Sequence, residues 1–172
     1  AIEPDDTYGS RDLYVSFLQA NGRWSKPQNL GPTINSANME LTPFLAADNQ
    51  TLYFSSSGFS GYGETDMFVS RRLDDSWKNW SEPLNLGATV NSPGWDASFT
   101  IDAQGEYAYF VSYKNSNNGS ADIFRAKLPK DARPYQVVTV SGKVVNSTNQ
   151  QAVAATVEYE KMPQADDNGF AQ

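Results

Sequence analysis

The sequence predicts an all-β chain: a partial β-propeller of about two and a half four-stranded antiparallel blades, followed by the first strands of a β-sandwich. Three observations carry that expectation. A pattern recurs without a gap at a spacing of 56 residues. Each copy divides into short strand-like stretches separated by turn residues. The composition then changes at a proline-bounded stretch that begins at Pro129.

Residues 24–36 read WSKPQNLGPTINS and residues 80–92 read WSEPLNLGATVNS. At the same spacing Tyr53-Phe54 recurs as Tyr109-Phe110, Ser56 as Ser112, Gly63 as Gly119 and Asp66 as Asp122. From Trp24 to Arg72 the register gives 17 identities in 49 positions, well above chance. Upstream, Asp12-Leu13-Tyr14 matches Asp66-Met67-Phe68 and Asp122-Ile123-Phe124.

The complete copy yields four strands. Leu41 to Ala47 is the first and Thr51 to Ser56 the second, with Asp48-Asn49 as the tight turn between them. A glycine-rich loop, Gly58 to Gly63, leads to the third strand, Asp66 to Ser70, and Glu82 to Leu86 is the fourth. Pro83 has no N–H to give to a ladder, so that last strand belongs at a sheet edge. Residues 11–31 then supply the two outer strands of one blade, residues 39–88 a whole blade, and residues 93–128 the first three strands of another. Successive blades should be related by a rotation of roughly 45–70°. A ring needs at least four blades, roughly 160–220 residues at this period, so the chain is expected to be a piece of a larger assembly. Its end blades would expose flat apolar faces, and it is expected to exist with the rest of its parent, a second copy or a partner.

The domain reading is therefore a propeller segment over 1–128, a polar linker over 129–136, and the opening of a truncated sandwich over 137–172. The last rests on two alternating β-branched runs, Val137 to Val145 and Ala152 to Tyr159, around a turn rich in Asn, Ser, Thr and Gln. Two or three strands cannot bury a sandwich core by themselves.

Composition narrows the function classes. The chain has 172 residues, 39% hydrophobic and 13% aromatic, enough core material for order. No run approaches the length of a membrane helix, and Ala1-Ile2-Glu3-Pro4 is no signal peptide; an export signal or lipid anchor would lie upstream. Twenty acidic residues stand against 13 basic ones, and the longest basic cluster is Arg71-Arg72, which argues against a nucleic-acid partner. The chain has no Cys and no His. It therefore offers no thiolate nucleophile, no thiolate or imidazole metal ligand, and not the commonest general base.

The line W-S-x-P-x-N-L-G-x-x-[IV]-N-S, an acidic residue four positions on (Glu40, Asp96), then L-Y-F-S-S (residues 52–56) and D-[MI]-F, resembles the TolB-like, WD-repeat-like propeller repeats of OmpA-family envelope proteins of Bacteroidetes-type bacteria. The later V-S-G-K-V and A-x-x-A-x-V-E-Y resemble the start of a carboxypeptidase-regulatory-like domain. The resemblance covers residues 11–160. It implies a periplasmic, outer-membrane-associated scaffold with protein partners in the cell envelope. It also implies a link to type IX secretion, or to peptidoglycan through a domain outside this chain.

The repeat positions carry structural expectations. Asp12, Asp66 and Asp122 should accept backbone N–H bonds in the loop before the third strand. Trp24 and Trp80 should fill the wedge between blades with their indole N–H bonded to a carbonyl. Asn35 and Asn91 should form Asx turns leading to the next blade. Glu40 and Asp96 open successive innermost strands and are expected at a channel mouth; two carboxylates are too few for calcium, so no metal or other cofactor is assigned. Phe59, Tyr62, Trp95 and Tyr113 fall in loops, where they form a candidate contact surface. The sequons at Asn79, Asn118 and Asn146 are expected by chance. The leading function is thus a non-catalytic interaction propeller, with no catalytic residue assigned. A carbohydrate-active propeller is the alternative and needs acids converging on the channel. A serine-peptidase propeller is a third reading, though the chain has no G-x-S-x-G.

Overall fold

A computed structural model describes residues 6–114, 119–138 and 141–158. Contacts divide the chain into two compact units, Ala1–Val137 and Val138–Gln172.

Among its described residues the first unit is all-β, and the strands fall into three antiparallel sheets, none of them closed. Sheet one pairs β1 (Tyr14–Val15) with β2 (Gln28–Asn29). Sheet two runs in the order β3 (Glu40–Leu45), β4 (Thr51–Ser56), β5 (Asp66–Arg71), β6 (Leu84–Asn85). Sheet three runs β7 (Asp96–Ile101), β8 (Tyr107–Ser112), β9 (Asp122–Lys127). The fourth strand is shorter than its sequence suggests, two residues after Pro83, and it sits on the sheet edge where a missing N–H costs nothing. Among the described residues no helix is long and apolar enough to cross a membrane.

Register repeats with the sequence. β3 and β7 each break their pairing with the next strand at one place, between Leu41 and Phe44 and between Ala97 and Thr100. The extra residues there, Thr42 and Ser98, have positive φ of 45° and 54°. This matches a β-bulge, which inserts a residue and bends the strand that carries it.

Alternation along β4 and β5 divides the core. Leu52, Phe54 and Phe68 point back to sheet one and join Leu13, Leu30, Ile34 and Trp80. Tyr53, Met67 and Val69 point forward and join Phe99, Ala108 and Phe110 of sheet three. Sheet two is covered on both faces, so every residue of β4 is buried. Tyr53 stacks on Phe99 at 4.6 Å between ring centroids, an arrangement favoured by the ring quadrupoles. Sheets are also tied through the backbone. The Glu40 N–H donates to Arg11 O at 2.8 Å and the Asp96 N–H to Thr65 O at 3.0 Å, so each first strand starts against the preceding sheet.

Residues 129–136, expected as a linker, are anchored as far as Tyr135. A short 3-10 turn over Lys130–Ala132 buries Ala132 in the core. The Tyr53 hydroxyl donates to Ala132 O, the Arg71 guanidinium donates to the Asp131 and Arg133 carbonyls, and the Tyr135 N–H donates to Asp48 Oδ2. Arg71 also lies 4.7 Å from the centroid of the Tyr135 ring.

In the second unit the expected runs Val137–Val145 and Ala152–Tyr159 reduce, among the described residues, to one antiparallel bridge, Val145 to Ala152. Asn146 organises its turn by accepting the Thr148 N–H at 2.8 Å. Val144, Val145, Val153 and Val157 are exposed there, because a single bridge has no second layer against which to bury them. Tyr159 and the residues after it lie outside the described residues.

Candidate functional site

The repeated acids and asparagines converge on one end of the sheets, where each first strand begins and each third strand is entered, whereas Trp80 bridges Arg72 at the far end of the third strand. Glu40 and Asp96, expected at a channel mouth, are instead fully buried. Glu40 accepts the Ser36 N–H at 2.9 Å, the Ser36 hydroxyl at 2.6 Å and the Ser56 hydroxyl at 2.7 Å. Asp96, one methylene shorter, accepts the Ser92 N–H at 2.6 Å and the Ser92 hydroxyl, which in turn receives the Ser112 hydroxyl at 3.4 Å. A buried carboxylate needs such donors, since an unpaired one is costly. Both acids are therefore engaged in holding the turn that leads into their strand.

Asn35 and Asn91 do not make the expected Asx turns. Asn35 reaches across to the third strand, accepting the Leu13 N–H at 2.7 Å and donating to Leu13 O at 3.0 Å. Asn91 treats Met67 in the same way, at 2.8 and 3.1 Å. A primary amide carries a donor and an acceptor side by side, so it can substitute for a paired strand residue where the ladder ends. The Asx turns belong to Asn29 and Asn85, which accept the N–H two residues on, at Gly31 and Gly87. Asn35 and Asn91 also donate to them, at 2.8 Å in both copies.

Asp12 accepts the Tyr8 and Gly9 N–H groups, and Asp66 accepts those of Tyr62 and Gly63. Asp122 is exposed, and the loop before it includes residues 115–118, which lie outside the described residues. The first two copies differ at the asparagine amide and at the acid's second oxygen. Asn29 Nδ2 donates to Asp12 Oδ2 at 2.8 Å, whereas the buried Asn85 Nδ2 and Asp66 Oδ1 have no partner.

The two tryptophans also separate. Trp80 is 4% exposed and its indole N–H donates to Trp77 O, but Trp24 is 67% exposed, against the expectation of a filled wedge. Trp80 points toward sheet one, while the described residues place no sheet on the corresponding side of Trp24. The loop before Trp80 is two residues longer, since Asp12 and Asp66 are 54 apart and the tryptophans 56. It supplies Trp77, packed edge-on against Trp80 at 6.0 Å.

Of the loop aromatics, Phe59 packs on Phe54 and Phe68 and is not a surface group. Tyr62, Trp95 and Tyr113 are exposed. Main-chain bonds tie their loops together, from the Tyr113 N–H to Trp95 O and from the Glu64 N–H to Gly94 O. Gly63 allows this closeness; a Cβ there would lie 2.2 Å from Ser92 O. The result is an aromatic rim on a hydrogen-bonded base.

Between sheets one and two lies an apolar groove of about 430 Å³, lined among others by Leu13, Val15, Leu30, Pro43, Leu52 and Trp80. No carboxylate, amine or guanidinium lines it. Among the described residues no three acids cluster closely enough to hold a metal ion.

The serine hydroxyls of the two sockets and the Asx turns of Asn29 and Asn85 were not singled out in the sequence. Their signal was present, since Ser36, Ser56 and Asn29 are all identical in the second copy. No known family, curated protein or solved structure matches the chain.

Proposed function

We propose that residues 11–128 are a partial β-propeller acting as a non-catalytic interaction scaffold, with the rim of Tyr62, Trp95 and Tyr113 as its contact face. The observation that carries this reading is the use of the repeated acids. Asp12, Glu40 and Asp96 take local N–H and hydroxyl donors on both carboxylate oxygens, and Asp66 takes two loop N–H groups on Oδ2. A glycosidase needs two carboxyls flanking the scissile bond, and these hold turns instead. Rigid loops bearing exposed aromatic rings suit protein recognition, where such side chains provide contact area at low entropic cost. The propeller geometry is supported by the 56-residue period of face-to-face packed antiparallel sheets, each first strand bonded to the sheet before it.

The sequence resemblance extends the reading to a periplasmic, outer-membrane-associated protein of the OmpA family, reaching peptidoglycan or type IX secretion through domains outside this chain. Two experiments test the proposal. An experimental structure should relate successive sheets by a rotation of roughly 45–70° about one axis; flat stacking refutes the propeller. A screen on aryl-glycosides and peptide esters should give no turnover. Turnover abolished by Glu40→Gln or Asp96→Asn would establish the carbohydrate-active alternative or another hydrolase.

A further inference from the structure

The joint between sheets two and three has the same main-chain frame as the joint between sheets one and two, but it shows different side chains to solvent. At each joint a tyrosine followed by glycine, Tyr8 or Tyr62, has its N–H held by the aspartate four residues on. At each, the residue before the first strand, Met39 or Trp95, forms a parallel bridge to the stretch leading into the preceding third strand, at Arg11 or Thr65. The Ser57 N–H donates to Met39 O at 3.1 Å and the Tyr113 N–H to Trp95 O at 3.3 Å. The Ser10 N–H donates to Asn38 O at 2.8 Å and the Glu64 N–H to Gly94 O at 3.2 Å. On this shared frame Ser10, Arg11, Met39 and Ser57 are replaced at the second joint by Glu64, Thr65, Trp95 and Tyr113.

Met39 and Ser57 complete the frame at the first joint, so the fold requires neither the indole of Trp95 nor the phenol of Tyr113 at the second. Relative to the first joint, the second gains two rings and an acid at these positions and loses a cation. Both sheets that build this joint are present around the rim, and Tyr62, Trp95 and Tyr113 are exposed there.

Elsewhere the chain lays its own cations over its rings: Arg71 over Tyr135, Arg72 over Trp77, and Arg125 and Lys127 over Tyr107. Among the described residues no cation lies over Tyr62, Trp95 or Tyr113. Lys114, next to the rim in sequence, donates its amine to Ala88 O at 2.7 Å. Glu64 is exposed and forms no ion pair among the described residues. The faces of indole and phenol rings are negative, so open rings on a loop with an unpaired carboxylate attract cations, and the net charge of −7 adds to that attraction.

We infer that this rim docks a basic protein segment, whose arginine or lysine side chains lie over Tyr62, Trp95 and Tyr113 with Glu64 as counter-ion. The inference rests on the reading of the rim as the contact face of a scaffold and adds the chemistry of the partner.

The test is calorimetry at low salt with a short Arg-Gly repeat peptide, its citrulline-Gly counterpart and its Glu-Gly counterpart. The arginine peptide should bind and the other two should not, and binding should weaken with added salt. The double variant Trp95→Met with Tyr113→Ser installs the residues of the first joint, so the fold should survive, as circular dichroism would check. It keeps the net charge, yet binding should weaken about tenfold, as the loss of two exposed cation–π contacts implies. Glu64→Ser should also weaken binding, and more than Glu82→Ser, which removes an exposed acid from a different loop. Equal affinity of the double variant and the unmodified chain overturns the inference, because attraction by net charge alone would then explain the binding. Citrulline or glutamate peptide binding as tightly as arginine peptide overturns it too. So does a chain that binds none of the peptides. These outcomes leave the scaffold reading standing, since hydrolase turnover, which would remove that reading, is measured separately.

Discussion

Replacing Asn91 with alanine isolates the amide clasp that joins the end of one repeat to its third strand. The side chain makes three bonds, two buried and one part-buried: it accepts the Met67 N–H and donates to Met67 O, and it donates to Asn85 Oδ1. After truncation the two acceptors keep other donors, Leu86 N–H for Met67 O and Gly87 N–H for Asn85 Oδ1. The Met67 N–H keeps none and is sealed in the core. An orphaned buried donor costs about 1–3 kcal/mol, and each bond lost from a still-satisfied acceptor about 0.5–1 kcal/mol, so the expected loss is about 3 kcal/mol. For a chain of this size that lowers Tm by about 6–12 °C. Urea unfolding followed by tryptophan fluorescence is the assay, with Asn21→Ala as an exposed control expected within about 0.5 kcal/mol. Asn91→Asp sharpens the test. It restores an acceptor for Met67 N–H but sets a carboxylate oxygen against Met67 O and Asn85 Oδ1. Burial beside those acceptors raises the folded pKa of the new acid, so the aspartate variant should gain stability as pH falls through that value, when the protonated acid can donate. A loss below about 1 kcal/mol for Asn91→Ala would refute the clasp as a determinant of stability.

The tryptophans should separate as their burial does: Trp80→Ala costs about 3–5 kcal/mol through the cavity left behind, and Trp24→Ala within about 0.5 kcal/mol, both read by urea denaturation. Gly63→Ala drives a methyl group into the Ser92–Gly94 backbone and should lower Tm sharply. Gly119→Ala meets open space and should cost only about 1 kcal/mol for its positive φ of 69°. Burial alone would push the Asp48 carboxyl up, but the Thr51 hydroxyl and the Thr51, Gln50 and Tyr135 N–H groups hold it below the ordinary aspartate value. Its contribution to stability is therefore present above about pH 4 and lost as pH falls through the depressed folded value. Asp48→Asn should flatten acid unfolding in that range, and hydrogen exchange should show the Tyr135 amide released.

Repetition made much of the fold legible. Identities at a fixed spacing report equivalent environments, so the repeat alone assigns Tyr53-Phe54 and Tyr109-Phe110 to the second strand of their sheets. Pro83 points to an outer strand because a residue without an N–H cannot donate to a central ladder, and it lies just before the edge strand β6. The limits lie where sequence identity conceals a difference in surroundings. Trp24 and Trp80 share a motif, yet among the described residues only Trp80 has a preceding sheet to pack against. Asn35 and Asn91 looked like turn formers because asparagine most often bonds its own neighbours. Only the folded chain shows their partners to be Leu13 and Met67, 22 and 24 residues away.

The sequence alone determined that the chain is all-β and divided at 56-residue intervals, because period, turn residues and apolar alternation are properties of local order along the chain. It also fixed the absence of thiol and imidazole chemistry, which is a matter of composition. Tertiary structure decided what the repeated polar residues do. Glu40 and Asp96 could have faced water as free acids or turned inward to serine hydroxyls. That choice depends on whether donors from residues 36 and 56, or 92 and 112, arrive in the same place. Burial of a carboxylate is tolerable only where several donors converge, and convergence is a property of the packed sheets, not of the order of residues.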